Sequence, residues 1–386
     1  MISFDNTEIA FKAKSDKDLS KSYWLFKLIG YPLLVNLGAT FGPLALKIGF
    51  KGIIKRTIFA QFVGGENIND CESTIKALGE FKIGAILDYS VEGKENEEDF
   101  EKCFKETLKT IKKAKNNEHI PFCVFKVTGL ARFELLRKVT ENENLSELEV
   151  KEYERVKERV RIICEEAAKV SQPIFIDAEE SWIQIAIDNL ANENMARCNK
   201  NEVIVYNTYQ LYRHDRLNYL KDTVEQAKKS GYKVGAKLVR GAYMEKERER
   251  AREKNYASPI QPDKASADRD YDFALEYCIA NINHVSLCAG THNEKSSLHL
   301  VKLMSEKSIE NSDKRIYFSQ LLGMSDHISY NLAASNYNVV KYVPYGPVKE
   351  VLPYLIRRAQ ENTSVKGQTG RELNLILKEK ARRKSA

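Results

Sequence analysis

Eight short apolar or β-branched runs recur along this chain, and nearly every one ends in a polar residue that could do chemistry. They occupy residues 83–89, 121–127, 173–177, 203–207, 234–240, 285–291, 316–320 and 339–345, and charged stretches of helical length separate them. Eight strands alternating with helices predict an α/β fold, a (β/α)8 TIM-type barrel. In such barrels the ligand site is built where the strands end. The residues to weigh are therefore Asp88, Lys126, Asp177, Asn207, Lys237, Arg240, His292, Gln320 and Tyr342.

A barrel needs roughly 250 residues, and this chain has 386. The surplus lies mostly before the first run, with more between the second and third. We expect an N-terminal helical arm over residues 1–61, a barrel over 62–364 and a basic helical tail over 365–386. Net charge is +7, but acids and bases alternate along most helices, which speaks against nucleic-acid binding. The basic segment 378–384 reads as a solvated helix end. Seven cysteines, none in a CxxC pair, read as buried free thiols of a reducing compartment, with no zinc spacing. No signal peptide is expected, and the acidic residues near the N-terminus argue against a transit peptide.

Residues 28–46 carry no charge, nominally enough to span a bilayer. Gly30, Pro32, Gly38, Gly42 and Pro43 interrupt the stretch. Two broken amphipathic helices, residues 22–37 and 41–58, are expected instead, packed on the barrel or resting on a membrane. The clearest helix is 145–170, where Leu148, Tyr153, Val156, Val160, Ile163 and Ala167 recur near a 3.6-residue period. The polar connection 245–269 reads either as a lid over the site or as an exposed helix and turn.

The strand ends hold the chemistry. Lys126 closes an apolar run, where an unpaired ammonium is strongly disfavoured, and its partner is either Asp88 or Asp177. The pair is a structural salt bridge, a ligand-carboxylate contact or a Schiff-base arrangement. Asp177 can pair with a cation or act as a base, while Glu179 and Glu180 suit a helix start. Lys237 and Arg240 place two cations beside Gly241 and Ala242, which suits a phosphate or an electron-rich ring. Thr291, His292 and Asn293 bring three hydrogen-bonding side chains to one strand end. Arg357 and Arg358 point about 100° apart on a helix and present forks suited to a carboxylate. Neither a G-x-G-x-x-G after a strand nor a P-loop motif is present, so a separate dinucleotide domain is unsupported.

The runs Ile176-Asp177-Ala178-Glu179, Lys237-Leu238-Val239-Arg240-Gly241-Ala242-Tyr243, Thr291-His292-Asn293, Gln320-Leu321-Leu322-Gly323-Met324, Tyr342-Val343-Pro344-Tyr345-Gly346 and Tyr354-Leu355-Ile356-Arg357-Arg358 resemble proline dehydrogenase, in its single-function, mitochondrial-like form. The likeness covers about residues 62–364. It implies a distorted flavin-binding barrel. Its reaction would oxidise L-proline to Δ1-pyrroline-5-carboxylate by hydride transfer to flavin N5 of FAD and pass electrons to a membrane quinone. Residue by residue, it gives the substrate carboxylate to Arg357, Arg358 and Lys126, and the pyrrolidine ring to Tyr342, Tyr354 and Leu321. Asp177 and Lys237 fall on positions treated as catalytic. Ala178, Asn207, Arg240, Gly241, Ala242, Thr291, His292 and Asn293 would contact FAD, and Glu92 would act as a gate with the first arginine. No metal is implied.

Two positions depart from relatives fused to a second enzyme, which carry Arg where Lys237 stands and Gln where Asn207 stands. Tyr342 favours proline over a hydroxylated ring. A separate pyrroline-5-carboxylate dehydrogenase is the implied partner. The implied location is the cytoplasm, peripheral to the inner membrane, or the matrix side in a mitochondrion. Two other readings rest on the residues alone: a Schiff-base lyase or aldolase using Lys126 or Lys237, and a non-catalytic anion-binding barrel.

Overall fold

The eight runs form eight strands: β1 Ile83–Tyr89, β2 Phe122–Lys126, β3 Ile174–Asp177, β4 Val205–Gln210, β5 Val234–Val239, β6 Val285–Gly290, β7 Ile316–Leu321 and β8 Val339–Tyr345. The structure is a computed structural model describing residues 2–47, 49–91, 94–364 and 368–385. The strands close into one barrel in sequence order. The parallel ladder from Ile83↔Val339 to Tyr89↔Tyr345 joins the first strand to the last. β1 and β8 keep the limits read from sequence. β4 starts two residues later and runs three residues further than its apolar run, because Thr208 and Tyr209 are polar yet good strand formers.

Two compact units make up the chain, residues 91–319 and residues 1–90 with 320–386. In the first, the barrel interior starts on an aromatic layer. The Phe122 and Phe175 rings stack at 4.4 Å, with Tyr206 and Tyr317 edge-on to Phe122 at 5.5 and 4.7 Å. Each such pair adds about 0.5–1.5 kcal/mol beyond its area burial. Gly235 makes the layer fit, since a Cβ there would lie 2.5 Å from the Tyr206 ring. The helix Glu147–Lys169 opens on a capping box formed by Ser146 and Glu149. Val156, Val160, Ile163 and Ala167 are buried as expected, but Leu148, in the first turn, is 78 % exposed.

In the second unit the arm folds as helices Asp16–Ile29 and Pro32–Lys47. The break falls at Gly30 and Tyr31, with Pro32 at the first helical position, where its missing N–H costs nothing. Gly38, Gly42 and Pro43 do not break the second helix. That helix packs on the helix Val348–Ser364 through Val35, and this packing outweighs local preference. The end of the C-terminal helix Gln368–Ser385 keeps Lys378, Arg382 and Lys384 exposed, as expected, but it is also tied to the arm. Arg383 donates to Asp16 at 2.8 Å and to the carbonyls of Lys14 and Phe11 at 2.9 Å. Arg382 and Arg383 flank the buried Glu379, and although burial pushes its carboxyl up, the two guanidiniums bring it down to about 2.

All seven cysteines are free thiols, six of them buried. Most of the segment 245–269 is helical, in Met244–Glu253 and the start of Lys264–Ala280. The connection between them is pinned: His214 N donates to Pro259 O at 3.1 Å, and Gln261 N to Tyr212 O at 2.7 Å.

Candidate active site

Three of the residues singled out in the sequence meet in the unit formed by residues 91–319. Lys126 ends β2 in register with Asp177, which ends β3. Its ammonium lies 3.4 Å from Asp177 Oδ2, so of the two carboxylates open to it the partner is Asp177. Lys237 on β5 donates to Asp177 Oδ1 at 2.5 Å, with its ammonium 5.0 Å from the centre of the Phe175 ring. Two ammoniums thus flank one buried carboxylate. Cys288 lies beside Lys237 in the ladder. Burial pushes its thiol up to about 12, so it is a neutral neighbour at pH 7. Asp88, in the other unit, accepts a hydrogen bond from Ser90 Oγ.

Asn207 does not join this floor. Successive side chains on a strand face opposite ways. β4 places Thr208, one residue on, level with Lys237. The Asn207 side-chain amide instead donates to Asp188 on the helix Ser181–Cys198 at 2.9 Å, and Arg216 donates to the same carboxylate at 2.6 Å. The Asn207 amide is thus committed to Asp188. Thr208 is the side chain the sequence reading missed. The usable signal was β-branched Thr208 followed by aromatic Tyr209, which carries the strand past 207.

Arg240 closes a second group with Thr291 and Asn293. Its Nε donates to Asp268 at 2.7 Å, Nη1 to Thr291 Oγ1 at 2.8 Å and Nη2 to Ser296 Oγ at 2.9 Å, while its guanidinium lies over the Tyr271 ring at 4.3 Å. Asn293 caps the helix Glu294–Glu306, accepting from Lys295 N and Ser296 N. His292 is half-buried between the two. Asp268 organises this group and was not flagged, because it lies mid-helix with no local pattern. Gly241 takes a φ of 130°, and a Cβ there would lie 2.4 Å from the Tyr212 ring. Gly241 and Ala242 are exposed, so backbone is accessible at this turn. Ala178 follows β3 and is 9 % exposed.

Glu180 is the N-cap of the helix Ser181–Cys198, as a helix-start acid should be, and both Glu179 and Glu180 are buried. Glu179 accepts from Thr128 N at 3.1 Å and from Thr128 Oγ1, and Glu180 accepts from Lys246. Burial, with the neighbouring Glu180, pushes the Glu179 carboxyl up to about 8.

The remaining site residues lie in the unit of residues 1–90 and 320–386. Tyr342 sits on β8, and Leu322 N donates to its carbonyl at 2.9 Å. Tyr354 belongs to an apolar cluster against which Leu321 packs. Arg358 is buried, its guanidinium 5.0 Å from the centre of the Tyr354 ring, and Arg357 is half-buried. Glu92 lies outside the described residues.

A (β/α)8 barrel with two lysines on one buried aspartate at its strand ends has its polar cluster where barrel proteins build their sites. The family model described as proline dehydrogenase matches residues 71–371. Proline dehydrogenase 1, mitochondrial, of Dictyostelium discoideum is 31 % identical, the match covering 98 % of this chain and 74 % of that protein. Hydroxyproline dehydrogenase of Xenopus laevis is 30 % identical, over 97 % and 88 %. Among solved structures, proline utilization A of Bdellovibrio bacteriovorus superposes with a TM-score of 0.73 at 19 % identity, covering 93 % of this chain. This chain spans only 38 % of that one, and the likeness speaks to the fold. The chain belongs to the proline dehydrogenase family.

Proposed function

We propose that the chain oxidises L-proline to Δ1-pyrroline-5-carboxylate, with FAD as hydride acceptor and a membrane quinone receiving the electrons. The observation that carries this reading is the Lys126–Asp177–Lys237 cluster, in a chain of this family. A bound flavin would supply the two-electron acceptor that no side chain provides.

The residues present fit such a group. A ring that gains electrons is favoured beside fixed positive charge, and two ammoniums to one carboxylate supply it. The exposed backbone at Gly241 and Ala242 leaves room for close approach. In this reading Asp177 fixes the direction of both ammoniums, and Lys237 supplies charge where fused relatives use a guanidinium. Arg357, Arg358 and Lys126 take the substrate carboxylate, while Leu321, Tyr342 and Tyr354 take its ring. Ala178, Asn207, Arg240, Gly241, Ala242, Thr291, His292 and Asn293 are the proposed cofactor contacts, and Glu92 the proposed gate. Orientation of this kind contributes up to about 7–11 kcal/mol to a reaction barrier. The amine must be neutral to lose hydride, so the rate should rise with pH. The product passes to a separate pyrroline-5-carboxylate dehydrogenase, and the enzyme works peripherally on a membrane, at the cytoplasmic or matrix face.

The visible spectrum is the direct test. The purified protein should be yellow with flavin absorbance, and anaerobic L-proline should bleach it, faster at higher pH. Tyr342 should make 4-hydroxyproline at least about tenfold slower, as a one-group clash in a filled pocket does. A colourless preparation that gains no bound flavin from added FAD would overturn the reading.

A further inference from the structure

The arm carries a surface that the proposed chemistry does not use. Between Asp18 and Glu66 the sequence holds no acidic residue and six cations, Lys21, Lys27, Lys47, Lys51, Lys55 and Arg56. The same stretch holds nine of the seventeen large apolar side chains exposed among the described residues. Leu33 is 72 % exposed, Ile53 59 %, Trp24 58 % and Phe41 54 %.

The helices are apolar on two sides. In Asp16–Ile29 the residues Leu19, Phe26 and Ile29 are buried, while Trp24 and Leu28 are exposed. In Pro32–Lys47 Val35 is buried, while Leu33 and Leu37 are exposed. One side packs on the protein's own core cluster. The other carries exposed apolar side chains at i, i+4 spacing, Trp24 and Leu28 on the first helix and Leu33, Leu37 and Phe41 on the second, stripes that soluble surfaces avoid unless something covers them.

Charge decides between the coverings. A second copy meeting this face across a two-fold axis would bring two sets of cations together, and like charges across an interface are costly. Glu66 offsets part of the charge, pairing with Lys51 at 2.9 Å and Lys55 at 2.7 Å, and the stretch stays strongly basic. Apolar side chains flanked by cations match the interfacial zone of an anionic bilayer. Among the described residues no helix is long and apolar enough to cross a membrane, so the face would lie on the surface.

We propose that the outer face of helices Asp16–Ile29, Pro32–Lys47 and Lys51–Ile54 is a docking surface for an anionic lipid bilayer. It deepens the peripheral-membrane part of the reading above and rests on it. Its consequence is positional. The inner side of Pro32–Lys47 packs on Val348–Ser364, the helix bearing Tyr354, Arg357 and Arg358. One helix diameter, about 10 Å, would separate lipid from that helix. A lipid-dissolved electron acceptor would reach the enzyme on this side.

Vesicle binding by the full chain tests this without any turnover, so it fails separately from the dehydrogenase reading. Phosphatidylcholine vesicles are compared with vesicles of phosphatidylcholine and phosphatidylglycerol at about 7:3, where partition should be about tenfold stronger and weaken with salt. Trp24 should shift to the blue on binding. The other tryptophan, Trp182, is 9 % exposed, and Trp24→Phe should abolish the shift. Leu33→Glu with Leu37→Glu should cut partition about a hundredfold, as burial of two leucines implies, with an unchanged far-UV spectrum. Lys51→Gln with Arg56→Gln, which leaves the apolar face intact, should lose the preference for the anionic vesicles. Absence of partition into either vesicle, or wild-type partition of the leucine variant, overturns the proposal. So does a concentration-dependent dimer that the leucine variant dissolves while no vesicle is bound.

Discussion

Asp177 and Asp326 are each a buried aspartate held between two lysines, and the two do different work. Asp177 on β3 pairs with Lys126 on β2 and Lys237 on β5, with side-chain exposures of 11 %, 14 % and 7 %. Asp326 pairs with Lys341 at 2.9 Å, from the middle of β8, and with Lys14 at 3.0 Å, from the arm. Lys341 is 1 % exposed and also donates to the carbonyls of Met324 at 2.5 Å and Leu321 at 3.3 Å. An ammonium has three protons to donate, and all three of these are placed. Burial pushes the Asp326 carboxyl up, but Lys14 and Lys341 outweigh it and hold it well below the usual range. One charge triad ties the arm to the barrel wall around the sealed Lys341, with Lys14 and Asp326 at 21 % and 10 % side-chain exposure. The other stands at strand ends, where barrels place their chemistry.

Removing one lysine from each triad should separate these roles. Lys237→Met should lower kcat for L-proline by roughly 10²–10³, the usual loss when a fixed charge facing the reacting groups is deleted. Lys126 remains on Asp177, so the urea midpoint should move little. Lys341→Met should do the reverse. It removes the fully buried ammonium that bonds Asp326 and the carbonyls of Met324 and Leu321, which leaves buried acceptors unmet and costs about 3–5 kcal/mol of stability, while kcat per folded molecule stays within about twofold. A depressed carboxyl stabilises the fold above its unfolded value, 3.8 here, and that contribution is lost as pH falls through the folded value. The stability gap between wild type and Lys341→Met should therefore close in acid. If Lys341→Met loses turnover without losing stability, the division drawn between the two triads is wrong.

The two triads were not equally legible in the sequence. Lys126, Asp177 and Lys237 stand out because a charge ending an apolar run must be matched by something. Lys341 lies inside Val-Val-Lys-Tyr-Val, and its triad is completed by Asp326, at the start of the helix after β7, and by Lys14 of the arm, which pairs with Asp326. No local spacing connects residue 14 with residue 326, so that triad could be found only in three dimensions. The barrel itself was readable because eight runs of strand length need no long-range information. The end of β4 was misjudged for a local reason: closing the run at the polar Asn207 hid that the strand continues, and Thr208 shares the level of Lys237. The break in the arm moved because helix packing on Val348–Ser364 overrode Gly38, Gly42 and Pro43.

Glu179 completes the comparison as a buried carboxyl whose hydrogen bonds come from neutral donors. Thr128 N and Thr128 Oγ1 are those donors, where Asp177 and Asp326 have ammoniums. Burial first, and Glu180 second, raise it from 4.5 to about 8. The folded protein then keeps a proton that the unfolded chain releases. The stability this proton confers is full below pH 4.5 and is lost as pH rises through about 8. Glu179→Gln imitates the protonated acid: its carbonyl oxygen accepts from Thr128 N, and its amide donates to Thr128 Oγ1. In urea denaturation at pH 5 the variant should match wild type within about 0.5 kcal/mol. At pH 9 it should be the more stable of the two by about 2 kcal/mol, because each tenfold change in proton affinity is worth roughly 1.4 kcal/mol and the charged form partly relaxes. A variant less stable than wild type at pH 9 would mean that Glu179 is stabilised as the anion. The contrast between carboxyls with and without lysine partners would then lose its third case.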